Sequence, residues 1–159
     1  MKGSDDVVKL LNEVLCAELT GINQYFIHSM LCANWRYNRL AEHARKESIE
    51  EMKHAQQVIE RVIYLEGAPN MQKYMKINVG KTVPQQHEND LALEKDAVAR
   101  LNAGIELCRT KEDNGSRALL EKILIDEEEH VDWLEAQLQH IKDIGIENYL
   151  SQQIDDEGH

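Results

Sequence analysis

The sequence predicts an all-α protein: a four-helix bundle with one long crossover and a short fifth helix at the C-terminal end. Three observations predict it. Four long stretches carry apolar side chains at spacings of three and four, the period of one helix face. The 159-residue chain holds only two prolines and eight glycines to interrupt them, and 5% aromatic residues, too few turn formers and bulky β formers for a strand-rich sandwich. The only long unpatterned stretch, about 67 to 82, has the length of a crossover.

The first helix, about 5 to 34, carries the stripe Val7, Leu11, Val14, Glu18, Ile22 and Tyr25. The second, about 39 to 65, runs Leu40, Ala44, Glu47, Glu51, His54, Val58, Val62 and Leu65, and is expected to stop at Gly67 with Pro69 beyond. The third, about 83 to 111, opens on Thr82-Val83-Pro84-Gln85, where Thr82 and Gln85 have capping-box spacing and Pro84 falls in the first turn. Its stripe is Leu91, Glu94, Val98, Leu101, Ile105 and Cys108. The turn Asp113-Asn114-Gly115 introduces the fourth, about 116 to 144, with Leu120, Ile123, Glu127, Val131, Leu134, Leu138 and Ile141, closed by Gly145. A fifth segment, about 146 to 154, trails into an acidic end. Short turns make helices one and two antiparallel, and likewise three and four. Helices of this length measure about 42 Å at 1.5 Å per residue, and some 16 extended residues reach roughly 50 Å. The crossover therefore spans the bundle and sets helices two and three parallel, within a single domain over 1–159.

Composition narrows the function. Lys and Arg number 18 against 29 Asp and Glu, a formal charge of -11. This disfavours a grip on nucleic acid phosphates and favours cations as partners. The three cysteines, Cys16, Cys32 and Cys108, form no CxxC pair, so neither a disulfide framework nor a four-cysteine site is available. They read as small apolar fillers. No stretch approaches the roughly 20 apolar residues of a membrane span, and Met1 to Asp6 lead into amphipathic sequence without an apolar leader core. The expectation is a soluble, cytoplasmic protein with no membrane partner.

Glu18, Glu51, Glu94 and Glu127 all stand where the helical period requires an apolar residue, and His54 and His130 follow the second and fourth by three. Buried ionised carboxylates cost several kcal/mol each unless compensated. Glu18 to Glu51 spans 33 residues, as does Glu94 to Glu127, and the set Glu18, Glu51, His54 recurs 76 positions later as Glu94, Glu127, His130. The local sequences Ile49-Glu50-Glu51-Met52-Lys53-His54 and Ile125-Asp126-Glu127-Glu128-Glu129-His130 share I-[DE]-E-x-x-H. This is an internal repeat of two helical hairpins, each placing its ligands at equal height. Residues i and i+3 share a helix face, so two packed hairpins present four carboxylates and two imidazoles to one place. Four carboxylates balance two divalent cations, or two ferric ions with one oxide. Oxygen and imidazole without thiolate suit iron or manganese.

One Glu from each of two helices with Glu-x-x-His from the other two is the layout of ferritin-like di-iron carboxylate proteins. The chain resembles bacterioferritin through Glu18-Leu19, Ile22 to Phe26, Glu47 to Ala55, Leu65-Glu66-Gly67 with Pro69-Asn70, Asp126 to Glu128 with His130, Asp132 to Glu135, and Asn148 to Leu150. The resemblance implies a ferritin-like homo-oligomeric shell of 24 chains, built from dimers, that oxidises Fe(II) with O2 or H2O2 and stores ferric mineral. It implies two iron ions per subunit, with Glu51 and Glu127 bridging, Glu18 and His54 completing one site, and Glu94 and His130 the other. It implies a tyrosine beside the metals at Tyr25, haem b shared between two subunits through Met52, and a ferredoxin-type electron donor. Asn34, Glu66 and Asp132 resemble pore-lining residues. Lys46 and Glu50 depart from the family's His and Asp, and Arg45 replaces an aromatic residue near the haem edge.

Competing readings are a soluble di-iron or di-manganese peroxidase or catalase, and a haem-binding electron-transfer protein. The first lacks the cysteines of an appended rubredoxin module, and the second leaves four core carboxylates unexplained. His28, His43, His87, His140 and His159 lack ligand spacing and are expected at the surface.

Overall fold

In the computed structural model, which describes residues 1–154, four long helices and one short one follow the expected order. They are α1 (Asp5–Asn34), α2 (Asn38–Tyr64), α3 (Val83–Thr110), α4 (Asn114–Ile144) and α5 (Ile146–Ser151). The four-helix bundle with its crossover is therefore the observed fold. None of these helices is long and apolar enough to cross a membrane.

Helices α1 to α3 end in the same way. The chain enters the left-handed region at Arg36 (φ 68°), Glu66 (φ 63°) and Glu112 (φ 56°). Each time the following amide bonds back to the carbonyl five residues earlier: Tyr37 to Cys32, Gly67 to Val62, and Asp113 to Cys108. Sequence reasoning places the stop of α2 at Gly67, but Glu66 takes the left-handed turn. Gly67 serves a different need, because a Cβ there would lie 2.6 Å from Val8 Cγ1 of α1. At the other ends, Thr82 Oγ1 accepts from the Gln85 amide, and Asp113 accepts from that of Ser116.

Cross-helix contacts fix the directions. Ser48 donates to the Ile22 carbonyl and Ser29 to that of Ala41, so α1 and α2 are antiparallel. Arg61 pairs with Asp113 and His54 with Asp126, so α2 and α4 run antiparallel too. The crossover lies along α1. Its backbone amides at Asn70, Met75, Asn78 and Gly80 donate in turn to Asn12, Thr20, Gln24 and His28. Polar residues on this flank of α1 thus satisfy a segment with no ladder of its own.

Helix α5 ends at Ser151, three residues short of the expected end. There the Gln153 carbonyl turns to accept from the Arg39 amide in the first turn of α2, an N-terminal group without an intrahelical acceptor. Tyr149, 2% exposed, seals the bundle end by donating to Gln137 and accepting from His87 Nε2.

The apolar core falls into two parts. The larger is built by Val7, Leu11, Val14, Leu15 and Leu19 of α1 with Ala55, Val58, Val62, Leu101, Cys108, Leu120 and Ile123, and the smaller by Cys32, Leu40, Ala41, Val83 and Tyr149. All three cysteines are buried and free, as expected of apolar fillers. A polar layer separates the two parts.

Candidate metal centre

That layer holds Glu18 from α1, Glu51 and His54 from α2, Glu94 from α3, and Glu127 and His130 from α4, all between 1 and 6% exposed. They form two quartets whose donor atoms lie within 4.8 Å of one another: Glu18, Glu51, His54 and Glu127, and Glu51, Glu94, Glu127 and His130. Glu51 and Glu127 belong to both. His54 Nδ1 lies 3.4 Å from Glu18 Oε2 and from Glu127 Oε1, and His130 Nδ1 lies 3.4 Å from Glu94 Oε2 and from Glu127 Oε1. Each of the six residues has one buried atom without a hydrogen-bond partner: Glu18 Oε2, Glu51 Oε1, His54 Nδ1, Glu94 Oε2, Glu127 Oε1 and His130 Nδ1. Six unpaired donors converging in an apolar bundle are a costly arrangement that cations relieve.

The electrostatics agree. Burial first, then neighbouring carboxylates, raise Glu51 and Glu127 well above the ordinary carboxylate range. Burial opposes charging of His54, but Glu18 and Asp126 outweigh it and its pKa rises. At His130 burial is likewise overcome, by Glu47, Glu94 and Glu127, to about 12. The layer without metal therefore holds protons where cations would replace them.

The outer nitrogens of both imidazoles are engaged crosswise. His54 Nε2 bonds Asp126 of α4 at 2.8 Å, and His130 Nε2 approaches Glu50 of α2 at 3.2 Å and contacts Glu47. Glu50 and Asp126 are the [DE] of the two I-[DE]-E-x-x-H motifs, so the repeat itself displays the position that supports the imidazoles. Glu47, a further carboxylate on the stripe of α2, is 9% exposed, and the repeat offers no counterpart that marks it as a site residue.

Tyr25 is 2% exposed and donates to Glu94 Oε1 at 2.9 Å, its ring edge-on to His130. Burial, then Glu94, pushes its pKa well up, so the phenol keeps its proton. Met52 lies outside this layer, 55% exposed on the flank of α2, with Ile49 at 41%. Asn34, Arg45, Lys46, Glu66 and Asp132 are exposed.

The expectation for the remaining histidines fails at three of them. His28 and His87 are 1% and 5% exposed, and His43 is half-buried, its ring stacked 3.5 Å over Trp133. The crossover amide of Gly80 and the hydroxyl of Tyr149 supply polar partners that bury the first two. His140 is exposed as expected, and His159 lies outside the described residues.

The chain matches the ferritin-like domain family over residues 8–144, a span that includes all six residues of the layer. It is 49% identical to bacterioferritin BfrA of Mycobacterium tuberculosis over 152 residues, covering 96% of each chain. The chain belongs to the bacterioferritin family. Bacterioferritin of Mycobacterium leprae is also 49% identical over 152 residues. That of Streptomyces coelicolor is 43% identical over 151, or 95% of this chain and 90% of the other. This bacterioferritin match takes in both hairpins and the crossover.

Proposed function

We propose that the chain stores iron and oxidises it on the way in, as a ferroxidase. The observation that carries the reading is the set of six unpaired donor atoms in two quartets sharing Glu51 and Glu127. In this reading Glu18 and His54 complete one Fe(II) site, Glu94 and His130 the other, and the shared carboxylates bridge. The four carboxylates neutralise two Fe(II), and the donor set suits iron. Two Fe(II) held together deliver two electrons at once: with two protons they reduce O2 to H2O2, or H2O2 to two waters, leaving two Fe(III). No one-electron oxygen radical is released.

The chain's own residues prepare this step. Asp126 and Glu50 fix the imidazoles from their outer nitrogens, which aims Nδ1 inward and raises its basicity. Tyr25 holds Glu94 by a hydrogen bond. The apolar parts above and below keep bulk water from the layer.

Storage requires a container, and the family membership supports a 24-chain shell built from dimers. Met52, facing outward from α2 beside exposed Ile49, would hold haem b through its thioether, together with the same residue of a second chain. Bound haem would supply one-electron chemistry for reductive release of stored iron, with a ferredoxin-type protein as its donor.

Rapid-mixing oxidation of Fe(II) tests the reading. The fast phase should saturate at two Fe(II) per chain and vanish in Glu18→Ala and His130→Ala, with helicity by circular dichroism unchanged. Purified protein should run as a large shell. Undiminished fast oxidation in both variants would refute the ferroxidase assignment, and a species no larger than a dimer would refute storage.

A further inference from the structure

The repeat that pairs Glu50 with Asp126 also pairs Lys46 with Lys122, 76 positions apart and each four residues before its acid. Both acids face the other hairpin's imidazole: Asp126 bonds His54 Nε2 at 2.8 Å, and Glu50 Oε2 lies 3.2 Å from His130 Nε2. The lysines are not the acids' partners, although a spacing of four on one helix would allow it. Lys46 reaches instead to Glu42 at 3.3 Å, and among the described residues no ion pair holds Lys53 or Lys122. All three lysines line one cavity of about 420 Å³ between α2 and α4, together with Ile49 and Gln57. A chain of formal charge -11 thus gathers ammonium groups at one concave place.

We propose that Lys46, Lys53 and Lys122 form an oxyanion site whose ligand is inorganic phosphate. Three ammonium groups around one hollow repel one another, and the two carboxylates beside them are already shared with imidazoles. The concave wall focuses their field. A compact anion with more than one charge and several acceptor oxygens relieves this repulsion at all three groups at once. Lysine binds phosphate as a point charge, and its flexible stem lets the three heads converge. The Gln57 amide is a further donor on the same wall. The one existing pair, Lys46 with Glu42, is exposed on both sides and is given up at little cost. Because Lys46 and Lys122 come from different hairpins, the anion also links α2 to α4 outside the metal layer. No cation enters the site, so it stands apart from the ferroxidase reading.

Equilibrium dialysis of the iron-free, full-length protein against radiolabelled inorganic phosphate at low ionic strength is the test. Binding should saturate at one phosphate per chain and weaken as salt screens the lysines. Lys46→Gln combined with Lys122→Gln should weaken it by about tenfold or more, the loss expected when a charge-assisted hydrogen bond is removed. Lys46→Arg combined with Lys122→Arg should retain it. Lys95→Gln combined with Lys142→Gln removes the same charge elsewhere and should leave it unchanged. Helicity by circular dichroism should be the same in all of them, which separates lost binding from lost folding. Absence of saturable phosphate uptake would overturn the site. So would undiminished affinity without Lys46 and Lys122, or an equal loss without Lys95 and Lys142.

Discussion

His54 of α2 bonds Asp126 of α4 through Nε2 at 2.8 Å while its Nδ1 faces the buried carboxylates. This crosswise support ties each hairpin's imidazole to the other hairpin's acid. Asp126→Ala should leave the bundle folded, since Asp126 is 37% exposed at its side chain. It should lower cation affinity at the His54 side by about 10- to 100-fold, the usual loss when an outer partner of a metal-bound histidine is removed. Calorimetric titration with Co(II) reads this directly, and unchanged affinity would show that His54 is oriented by packing alone.

Glu51 is buried among the charges of its neighbours. Burial and the facing Glu18, Glu127 and Glu94 all raise its pKa. Glu51→Gln should therefore stabilise the metal-free protein at pH 8 while damaging cation binding. Chemical denaturation of both forms without metal checks the sign, which is opposite to that of ordinary core damage.

The same shifts set a pH dependence. Glu51, Glu127, His54 and His130 all have folded pKa values above their unfolded ones. The folded state therefore binds more protons. Their stabilisation is complete below about 4.5 for the carboxylates and 6.5 for the imidazoles. It is lost as pH rises through the folded values. His87, lowered by burial to about 4, and His43, lowered by burial, act oppositely: their stabilisation holds above 6.5 and is lost as pH falls. Metal displaces only the protons of the first group. The melting temperature of Co(II)-loaded minus metal-free protein should thus widen from pH 5 to pH 8, and a gap independent of pH would exclude these groups as ligands.

Met52 faces outward on the flank of α2. It sits about 100° around α2 from Glu51, so an inward Glu51 leaves it outward, at 55% exposure. Met52→Leu should keep the fold and Fe(II) oxidation, lose the haem absorption band, and slow reductive iron release. Full haem occupancy in that variant would refute the ligand assignment.

Much of this was legible in the chain itself. The four carboxylates show because each breaks an apolar period, and the 33- and 76-residue spacings show that they break it together. The burial of His28 and His87 was not legible. It depends on the Gly80 amide and the Tyr149 hydroxyl, partners 52 and 62 residues away that no local period reports. Glu47 was visible on the stripe of α2, but spacing alone does not say which nitrogen of His130 it meets. The left-handed turn at Glu66 beside an available Gly67 was hidden for a similar reason, since Val8 of α1 claims the glycine.

The proposed ferroxidase chemistry needs two cations in the bundle sharing Glu51 and Glu127. Anomalous diffraction at the iron edge from anaerobically Fe(II)-soaked crystals measures it most directly. Two peaks per chain are expected, one bonded to Glu18 and His54, the other to Glu94 and His130, with both Glu51 and Glu127 reaching each. A single peak, or iron only on the outer surface with the six residues bonded to one another, would contradict it.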